Sequence, residues 1–236
     1  MSEDLLYGGK AKSVYRSASP DELIVVFRDD ITAFDGKKKD VVAQKGEYNA
    51  RVSSHLFKIL ESAGIPTHFL SMESPARMRV RRLAMIPLEV IVRNIAAGSL
   101  TRNYPFEEGR RLVPPLIVMD YKDDDRHDPM VNDEIILALA LLSRSELDAV
   151  KGLALRVNSV LGEFFDGLGL TLVDFKLEFG RDSEGVLRLG DEVSMDSMRL
   201  WDSSTGESLD KDVYRLGKGD VLDAYARVAA KIGPGM

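Results

Sequence analysis

Three charged side chains stand at alternate positions of one strand-like run in the last third of the sequence. They are Asp174, Lys176 and Glu178, within the segment LVDFKLEFG at residues 172–180. Because successive side chains of a strand point to opposite faces, the three share one face. The residues between them are predicted to form the apolar face: Val173, Phe175, Leu177 and Phe179.

A polar turn and a second, shorter run ending at Gly190 follow, which is the pattern of a β-hairpin. Folding the hairpin back brings Asp191 and Glu192 close to the charged row. Carboxylates around one lysine suit Mg²⁺ and a polyphosphate, since Mg²⁺ prefers oxygen ligands and lysine neutralises phosphate charge. The same residues are also compatible with a solvated strand face held by cross-strand Lys–Glu pairs.

Two lysines close to the N-terminus follow a pair of glycines in the segment GGKAK. Glycine allows a tight turn without a side chain above it, and Lys10 and Lys12 then share one face of the next strand. Such a turn can cover and neutralise a triphosphate. An edge hairpin that carries lysines explains the segment equally well.

Alternation in the segment PLEVIVRN places Glu89 and Arg93 on the face opposite three apolar residues. The glycine-serine turn that follows offers backbone N–H groups and the Ser99 hydroxyl. Together with Arg93, this turn could bind a phosphate monoester. Two simpler interpretations remain open: Glu89 and Arg93 pair with each other, and the turn is an ordinary helix cap.

Four polar residues beyond the hairpin and one before it complete the candidates. Asp196 and Arg199 lie three residues apart, and Lys211 and Arg215 follow in the segment LDKDVYR. The Asp35-Gly36 turn could present its aspartate to a ligand. Their residue types suit anion or amine contacts, but their spacing specifies no single chemistry.

The hydrophobic pattern predicts the elements that position these residues. Strands are predicted at residues 5–16 (with a glycine turn), 23–27, 67–72, 78–83 and 88–95. Helices are predicted at residues 48–63, at 220–232 and after Ser143, where Ser143 and Glu146 form a capping box. Residues 84–87 are interpreted as a hinge between two lobes. Residues 28–46 are interpreted as a polar loop bounded by glycine, and the proline-rich residues 104–130 as an ordered loop that carries ligand contacts.

Composition excludes several classes of protein. A chain of 236 residues without cysteine has no disulfides or thiolate metal sites, which suits a cytoplasmic protein. A net charge of −6 argues against a nucleic-acid-binding role, although residues 77–82 are basic. No run of about 18 apolar residues is present, so we expect no membrane span.

Two long segments resemble the signatures of the SAICAR synthetase (phosphoribosylaminoimidazole-succinocarboxamide synthase) family. These are MIPLEVIVRNIAAGS at residues 85–99 and LVDFKLEFG at residues 172–180. Four shorter segments match in the same order: GKAK, HDPMVN, GDE and RLWD. The resemblance covers essentially the full chain. The segment SMDSMR, where relatives often have SPDGSR, departs from the family pattern but keeps the aspartate and the arginine.

The resemblance implies a reaction and a fold. The family joins L-aspartate to the carboxylate of carboxyaminoimidazole ribonucleotide (CAIR) with ATP and Mg²⁺, in purine biosynthesis. An α+β fold is implied, with an antiparallel N-terminal lobe at residues 1–84 and a larger lobe at residues 85–236, and with ATP between them as in ATP-grasp enzymes. A homodimer is expected. The competing interpretation is another ATP-dependent carboxylate–amine ligase acting on a phosphorylated substrate.

The resemblance also implies roles for residues at matching positions. Lys10, Lys12 and Lys176 are expected to contact the ATP phosphates, and Arg82, Met85 and Leu88 the adenine. The expected metal ligands are Glu178 and Asp191, with Glu89 and Asp174 as candidates for a second ion and, with Lys176, for catalysis. The expected ligands of the CAIR ribose phosphate are Arg93, Ser99 and Arg199. Further contacts to CAIR or aspartate are expected from Asp128, Asp196, Lys211 and Arg215.

Overall fold

Two large antiparallel sheets, one two-stranded sheet and six α-helices build the part of the chain that the computed structural model describes, residues 4–33 and 36–233. The first sheet has five strands, in the spatial order β1 (Leu5–Gly8), β2 (Lys12–Arg16), β3 (Glu22–Phe27), β7 (Arg77–Arg81) and β6 (Phe69–Ser74). The mixed α+β architecture with antiparallel sheets agrees with the fold class expected from the sequence.

The second sheet is larger and lies in the C-terminal part of the chain. Its order is β10 (Met130–Val131), β9 (Arg111–Tyr121), β8 (Ala84–Ile95), β11 (Leu170–Arg181) and β12 (Leu187–Gly190), and β13 (Met198–Asp202) also pairs with β11. A separate two-stranded sheet joins β4 (Asp30–Ala33) to β5 (Lys38–Val41). The predicted hairpin is confirmed, since β11 and β12 pair antiparallel.

Of the six α-helices, the first packs against the five-stranded sheet and the fourth against the six-stranded sheet. The six are α1 (Lys45–Ser62), α2 (Ser99–Asn103), α3 (Asp133–Ala138), α4 (Arg144–Gly167), α5 (Asp212–Leu216) and α6 (Val221–Ile232). The predicted capping box at Ser143 and Glu146 is present at the start of α4. Within the described residues, no helix is both long and apolar enough to cross a membrane.

One main core contains the apolar faces of β8 and β11 together with the buried stripes of α1, α4 and α6. Phe175, Leu177 and Phe179 belong to this core, as predicted. Val173 instead packs against Trp201 in a small separate cluster. The pairing of β11 with β13 shifts register between Leu172 and Asp174, and a bulge of this kind interrupts the alternation of faces.

Three predictions about local structure are wrong. Residues 84–87 do not interrupt a strand, because β8 begins at Ala84 and pairs with β11 from there. Most of residues 104–121 form β9, and β4 and β5 occupy much of residues 28–46. In β9 the two prolines lie opposite the register shift between Arg93 and Ile95 of β8, and a bulge tolerates the missing N–H groups of proline.

The two large sheets meet along two short connections. The chain passes from β7 to β8 through Arg82 and Leu83. Residues 66–68 lie beside β12, where Thr67 forms a parallel bridge with Leu189 and His68 N–H donates to the Leu189 carbonyl at 2.9 Å. The His68 carbonyl in turn accepts from Arg81 N–H at 2.7 Å. The glycine turn between β1 and β2 therefore lies close to the C-terminal end of β12, where Lys12 bonds Asp191.

Candidate active site

Three carboxylates converge on the ammonium group of Lys176. Lys176 Nζ donates to Glu178 Oε1 at 2.6 Å and to Glu89 Oε1 at 3.1 Å, and lies 3.5 Å from Asp191 Oδ2. Glu178 and Glu89 are directly opposite each other on β11 and β8, a like-charged pairing that the lysine between them offsets. Burial opposes the charge of Lys176, but the three carboxylates outweigh it and raise its pKa well above the usual value.

Lys12 links the first sheet to the same cluster. Its ammonium bonds Asp191 Oδ1 at 2.5 Å and Glu192 Oε1 at 2.9 Å. Asp191 follows the last residue of β12 with a left-handed φ of 54°, which turns its carboxylate toward both Lys12 and Lys176. Burial resists ionisation of Asp191, yet the two lysines hold its pKa well below the usual range. The predicted approach of Asp191 to the charged row of β11 is therefore observed, and Lys12 of the first sheet joins the same cluster.

A cavity of about 790 Å³ opens beside this cluster, between the two large sheets. The glycine turn and Lys10 line one wall, and Lys10 Nζ bonds Asp124 Oδ1 at 2.9 Å across the opening. Arg82 and Met85, two of the three residues expected to contact adenine, also line the cavity. Leu88 does not, because its side chain is 1% exposed and packs in the main core.

The cavity wall contains functional groups that the sequence analysis did not identify. Lys122, just beyond β9, bonds Glu178 Oε2 at 2.5 Å. His68 is buried against the edge of the Phe57 ring, and burial lowers its pKa to about 4. Asp128, one of the predicted substrate contacts, lines the cavity and accepts a hydrogen bond from Asp123 N–H at 2.8 Å.

The donor set around Lys176 suits a hard divalent cation. Glu89, Glu178 and Asp191 already surround one positive charge, so their oxygens are oriented toward a cation. Among the residues described, no cluster of three or more acidic, histidine or cysteine side chains forms a complete metal site by itself. Magnesium is commonly held by one or two carboxylates together with substrate phosphates, and this set can supply those carboxylates.

Asp174, expected to be a metal ligand, is instead bound by two arginines. Its Oδ2 accepts from Arg93 Nη1 at 2.8 Å and from Arg199 Nη1 at 2.8 Å, and its Oδ1 accepts from Arg199 at 2.9 Å. Arg93 Nη2 also donates to Ser99 Oγ at 2.9 Å. Glu89 and Arg93 do not pair with each other, because each finds a partner on β11. The oxygens of Asp174 are bound by guanidinium groups, and its assignment as a ligand of a second metal ion stays a prediction.

A second cavity, of about 770 Å³, lies next to this arginine cluster. Ser99, Arg199 and Arg215 line it, together with Lys10, which lines both cavities. A Cβ atom at Gly98 would lie 2.4 Å from the Arg199 guanidinium, and its φ is 61°, so only glycine fits under this arginine. The second cavity therefore presents several cationic groups and a hydroxyl, the groups that bind a phosphate monoester.

Three predicted substrate contacts, Arg93, Asp196 and Lys211, line neither cavity. The Asp196 carboxylate is enclosed by Lys45 and Tyr225, and its side chain is 4% exposed. Lys211 precedes α5, and burial lowers its pKa despite the nearby charge of Asp196. Asp35 lies outside the described residues.

A model of the SAICAR synthetase family matches residues 5–232. The chain belongs to the SAICAR synthetase family. The phosphoribosylaminoimidazole-succinocarboxamide synthase of Methanoregula boonei is 63% identical over 228 residues, which cover 97% of this chain and 89% of that relative. The synthase of Methanoculleus marisnigri is 61% identical over 229 residues, covering 97% of this chain and 95% of that relative.

Solved structures of family members have the same fold. The SAICAR synthetase from Ehrlichia chaffeensis matches with a TM-score of 0.95 at 42% identity and covers 97% of this chain and 98% of its own. A SAICAR synthetase in complex with ADP matches with a TM-score of 0.95 at 44% identity, covering 99% of this chain and 100% of that one. The family expected from the sequence segments is therefore confirmed.

Proposed function

We propose that this SAICAR synthetase family member ligates L-aspartate to the carboxylate of CAIR, with ATP converted to ADP and phosphate. The observation that carries this proposal is the pair of adjoining cavities that share Lys10. One cavity presents lysines and carboxylates suited to a metal-bound polyphosphate, and the other presents arginines and a serine suited to a sugar phosphate. A relative that binds ADP supports the nucleotide assignment.

The chemistry needs ATP because a carboxylate oxygen is a poor leaving group. In the proposed first step, a CAIR carboxylate oxygen attacks the γ-phosphorus of ATP, and the bond to ADP breaks to give an acyl phosphate. In the second step, the neutral amine of aspartate attacks the acyl carbon, phosphate leaves, and the amine loses a proton as the amide forms. Positioning and charge neutralisation, rather than a covalent enzyme nucleophile, would lower the barrier.

The nucleotide half of the proposal assigns the first cavity. Lys10, Lys12 and Lys176 would neutralise the triphosphate, and Lys122 is added to this set because it lines the same cavity and bonds Glu178. Glu178 and Asp191, supported by Glu89, would hold Mg²⁺, which when bound supplies charge neutralisation of the phosphates. Arg82 and Met85 would border the adenine.

The acceptor half assigns the second cavity. Arg93, Ser99 and Arg199 would bind the CAIR phosphate, with Asp174 orienting both guanidinium groups rather than holding a second metal. Arg215 lines the cavity and is the proposed contact for an aspartate carboxylate.

Three further assignments are part of the proposal. The sheet boundary near Arg82 and Leu83 supports lobes at residues 1–84 and 85–236. A cytoplasmic location is proposed because the chain has no cysteine and the substrates are soluble metabolites. A homodimer is proposed by likeness to the family, and sedimentation of the purified protein tests it.

The decisive experiment measures ADP release with ATP, Mg²⁺ and CAIR while the amine is varied. We expect release to depend on L-aspartate and to be close to background with glutamate or glycine. Equal turnover with glutamate or glycine would assign the chain to another carboxylate–amine ligase activity. ADP release that does not require CAIR would contradict the acceptor assignment.

A further inference from the structure

Three buried side chains from separate parts of the chain meet outside both cavities. The Tyr225 hydroxyl on α6 donates to Asp196 Oδ1 at 2.6 Å, and Lys45 Nζ at the start of α1 donates to Asp196 Oδ2 at 2.7 Å. Tyr225 is fully buried, and the Lys45 side chain is 1% exposed. Neither Asp196 nor its two partners line the cavities, so this cluster does not contact the proposed substrates.

A continuous chain of hydrogen bonds connects this cluster to Lys12. The Asp196 N–H donates to Ser194 Oγ at 3.2 Å, and Ser194 Oγ donates to Glu192 Oε2 at 2.6 Å. The other oxygen of Glu192, Oε1, lies 2.9 Å from Lys12 Nζ. Ser194 is fully buried, so water does not compete for these bonds.

The tyrosine has a role in this chain that the lysine does not duplicate. Lys45 balances the charge of the Asp196 carboxylate, and this pair would remain neutral without Tyr225. The hydroxyl instead binds the second carboxylate oxygen and prevents the group from rotating. Without this bond the segment around Asp196 is less firmly attached to α6, and so is the Asp196 backbone N–H that donates to Ser194 Oγ.

We propose that Tyr225 is a positioning residue, which orients Lys12 in the nucleotide cavity through Asp196, Ser194 and Glu192. This inference rests on the proposed function, because it gives Lys12 the task of binding nucleotide phosphates. It also assigns Asp196 to positioning rather than to direct substrate contact.

Calorimetric titration of the full chain with ADP and Mg²⁺ tests the inference without turnover. Tyr225→Phe removes only the hydroxyl. Because one internal hydrogen bond is lost, we expect ADP affinity to weaken about three- to tenfold. The KM for CAIR should change less than about twofold, since the second cavity lies outside this chain of bonds.

Two further variants separate positioning from general destabilisation. Ser194→Ala breaks the chain of hydrogen bonds in the middle, so this single substitution should weaken ADP binding. Adding Tyr225→Phe to it should have no further effect on ADP affinity. Val157→Ala removes two methyl groups from a fully buried position on α4 and serves as the control. It should lower the unfolding temperature while leaving ADP affinity unchanged.

Four results would overturn the inference: unchanged ADP affinity in Tyr225→Phe, additive losses in the double variant, an equal loss in Val157→Ala, or wild-type affinity in Ser194→Ala. Wild-type ADP affinity in Ser194→Ala would overturn the inference even if Tyr225→Phe does not fold. Failure of the proposed function has a different signature, because the wild-type chain would then show no aspartate-dependent ADP release.

Discussion

Replacing Asp174 with asparagine should destabilise the protein far more than the loss of an ordinary ion pair. Asp174 is 3% exposed and is the only carboxylate within ion-pair distance of Arg93, itself 5% exposed, among the residues described. Asparagine keeps the shape of the side chain but removes the charge. The Arg93 guanidinium would then be buried without a counterion, with the Ser99 hydroxyl and a neutral amide oxygen as its polar side-chain partners.

The expected loss follows from that burial. Breaking a buried pair by removing one partner costs about 3–5 kcal/mol, because an uncompensated charge stays inside. The low end applies here, since Arg199 keeps its bond to Asp212 at 2.7 Å. A loss of about 3 kcal/mol in the free energy of unfolding corresponds to a fall in Tm of about 6–12 °C for a chain of this size.

Asp133 provides a matched control for a calorimetric melt. It also accepts from two cations, Lys151 at 2.6 Å and Arg144 at 3.0 Å, but its side chain is 31% exposed. Solvent screens such pairs, so Asp133→Asn should cost no more than about 1 kcal/mol. Melting of Asp174→Asn within the range of Asp133→Asn would refute the reasoning from burial.

The same variant distinguishes the two roles considered for Asp174. If it orients arginines, Asp174→Asn should raise the KM for CAIR and leave the Mg²⁺ concentration needed for half-maximal rate unchanged. A clear increase in the Mg²⁺ requirement would restore the expectation of a metal ligand.

Two other perturbations address the nucleotide cavity. Glu178→Gln should lower turnover on the order of 100-fold, because a carboxylate that binds two lysines and the proposed Mg²⁺ is lost, while a cooperative melt is retained; full activity would contradict its role. His68 has its folded pKa lowered to about 4 by burial, against an unfolded value of about 6.5, so its contribution to stability is present above pH 6.5 and is lost as pH falls toward 4. Between pH 7 and pH 4, wild type should lose about 3 kcal/mol more stability in urea than His68→Gln, and equal losses would show that His68 is not the group responsible.

Alternation in the sequence was sufficient to predict the faces of β8 and most of β11. Glu89 lines the first cavity and Arg93 lies on the same face, while Leu88, Val90 and Val92 on the opposite face enter the core, because period two is a local property of a strand. The partners of these residues were not predictable in the same way. The pairing of Glu89 with Lys176 depends on the register between two strands whose paired residues are 87 positions apart in the sequence.

The group missed most clearly is Lys122. Prolines in residues 104–130 favoured a loop, so the strand β9 and the residues at its end were not considered as parts of a sheet. Alternation across residues 119–122 was the available signal, with Asp120 and Lys122 on one side and Met119 and Tyr121 on the other. The surroundings of Asp196 were not predictable for a different reason, since the sequence shows no sign that Lys45 and Tyr225 enclose it.

Strand β11 has a consequence for the choice of acceptor. Asp174, which binds the two arginines proposed for the sugar phosphate, and Glu178, which lines the first cavity, are four residues apart on one buried, hydrogen-bonded strand, a span of about 13 Å. Under the proposed assignments, the backbone of β11 would set the distance between the bound phosphate of the acceptor and the point of phosphoryl transfer. The spacing would select acceptors by the distance between their phosphate and their carboxylate. An analogue with a shorter or longer spacer between these groups would bind at one end and leave the other end out of reach.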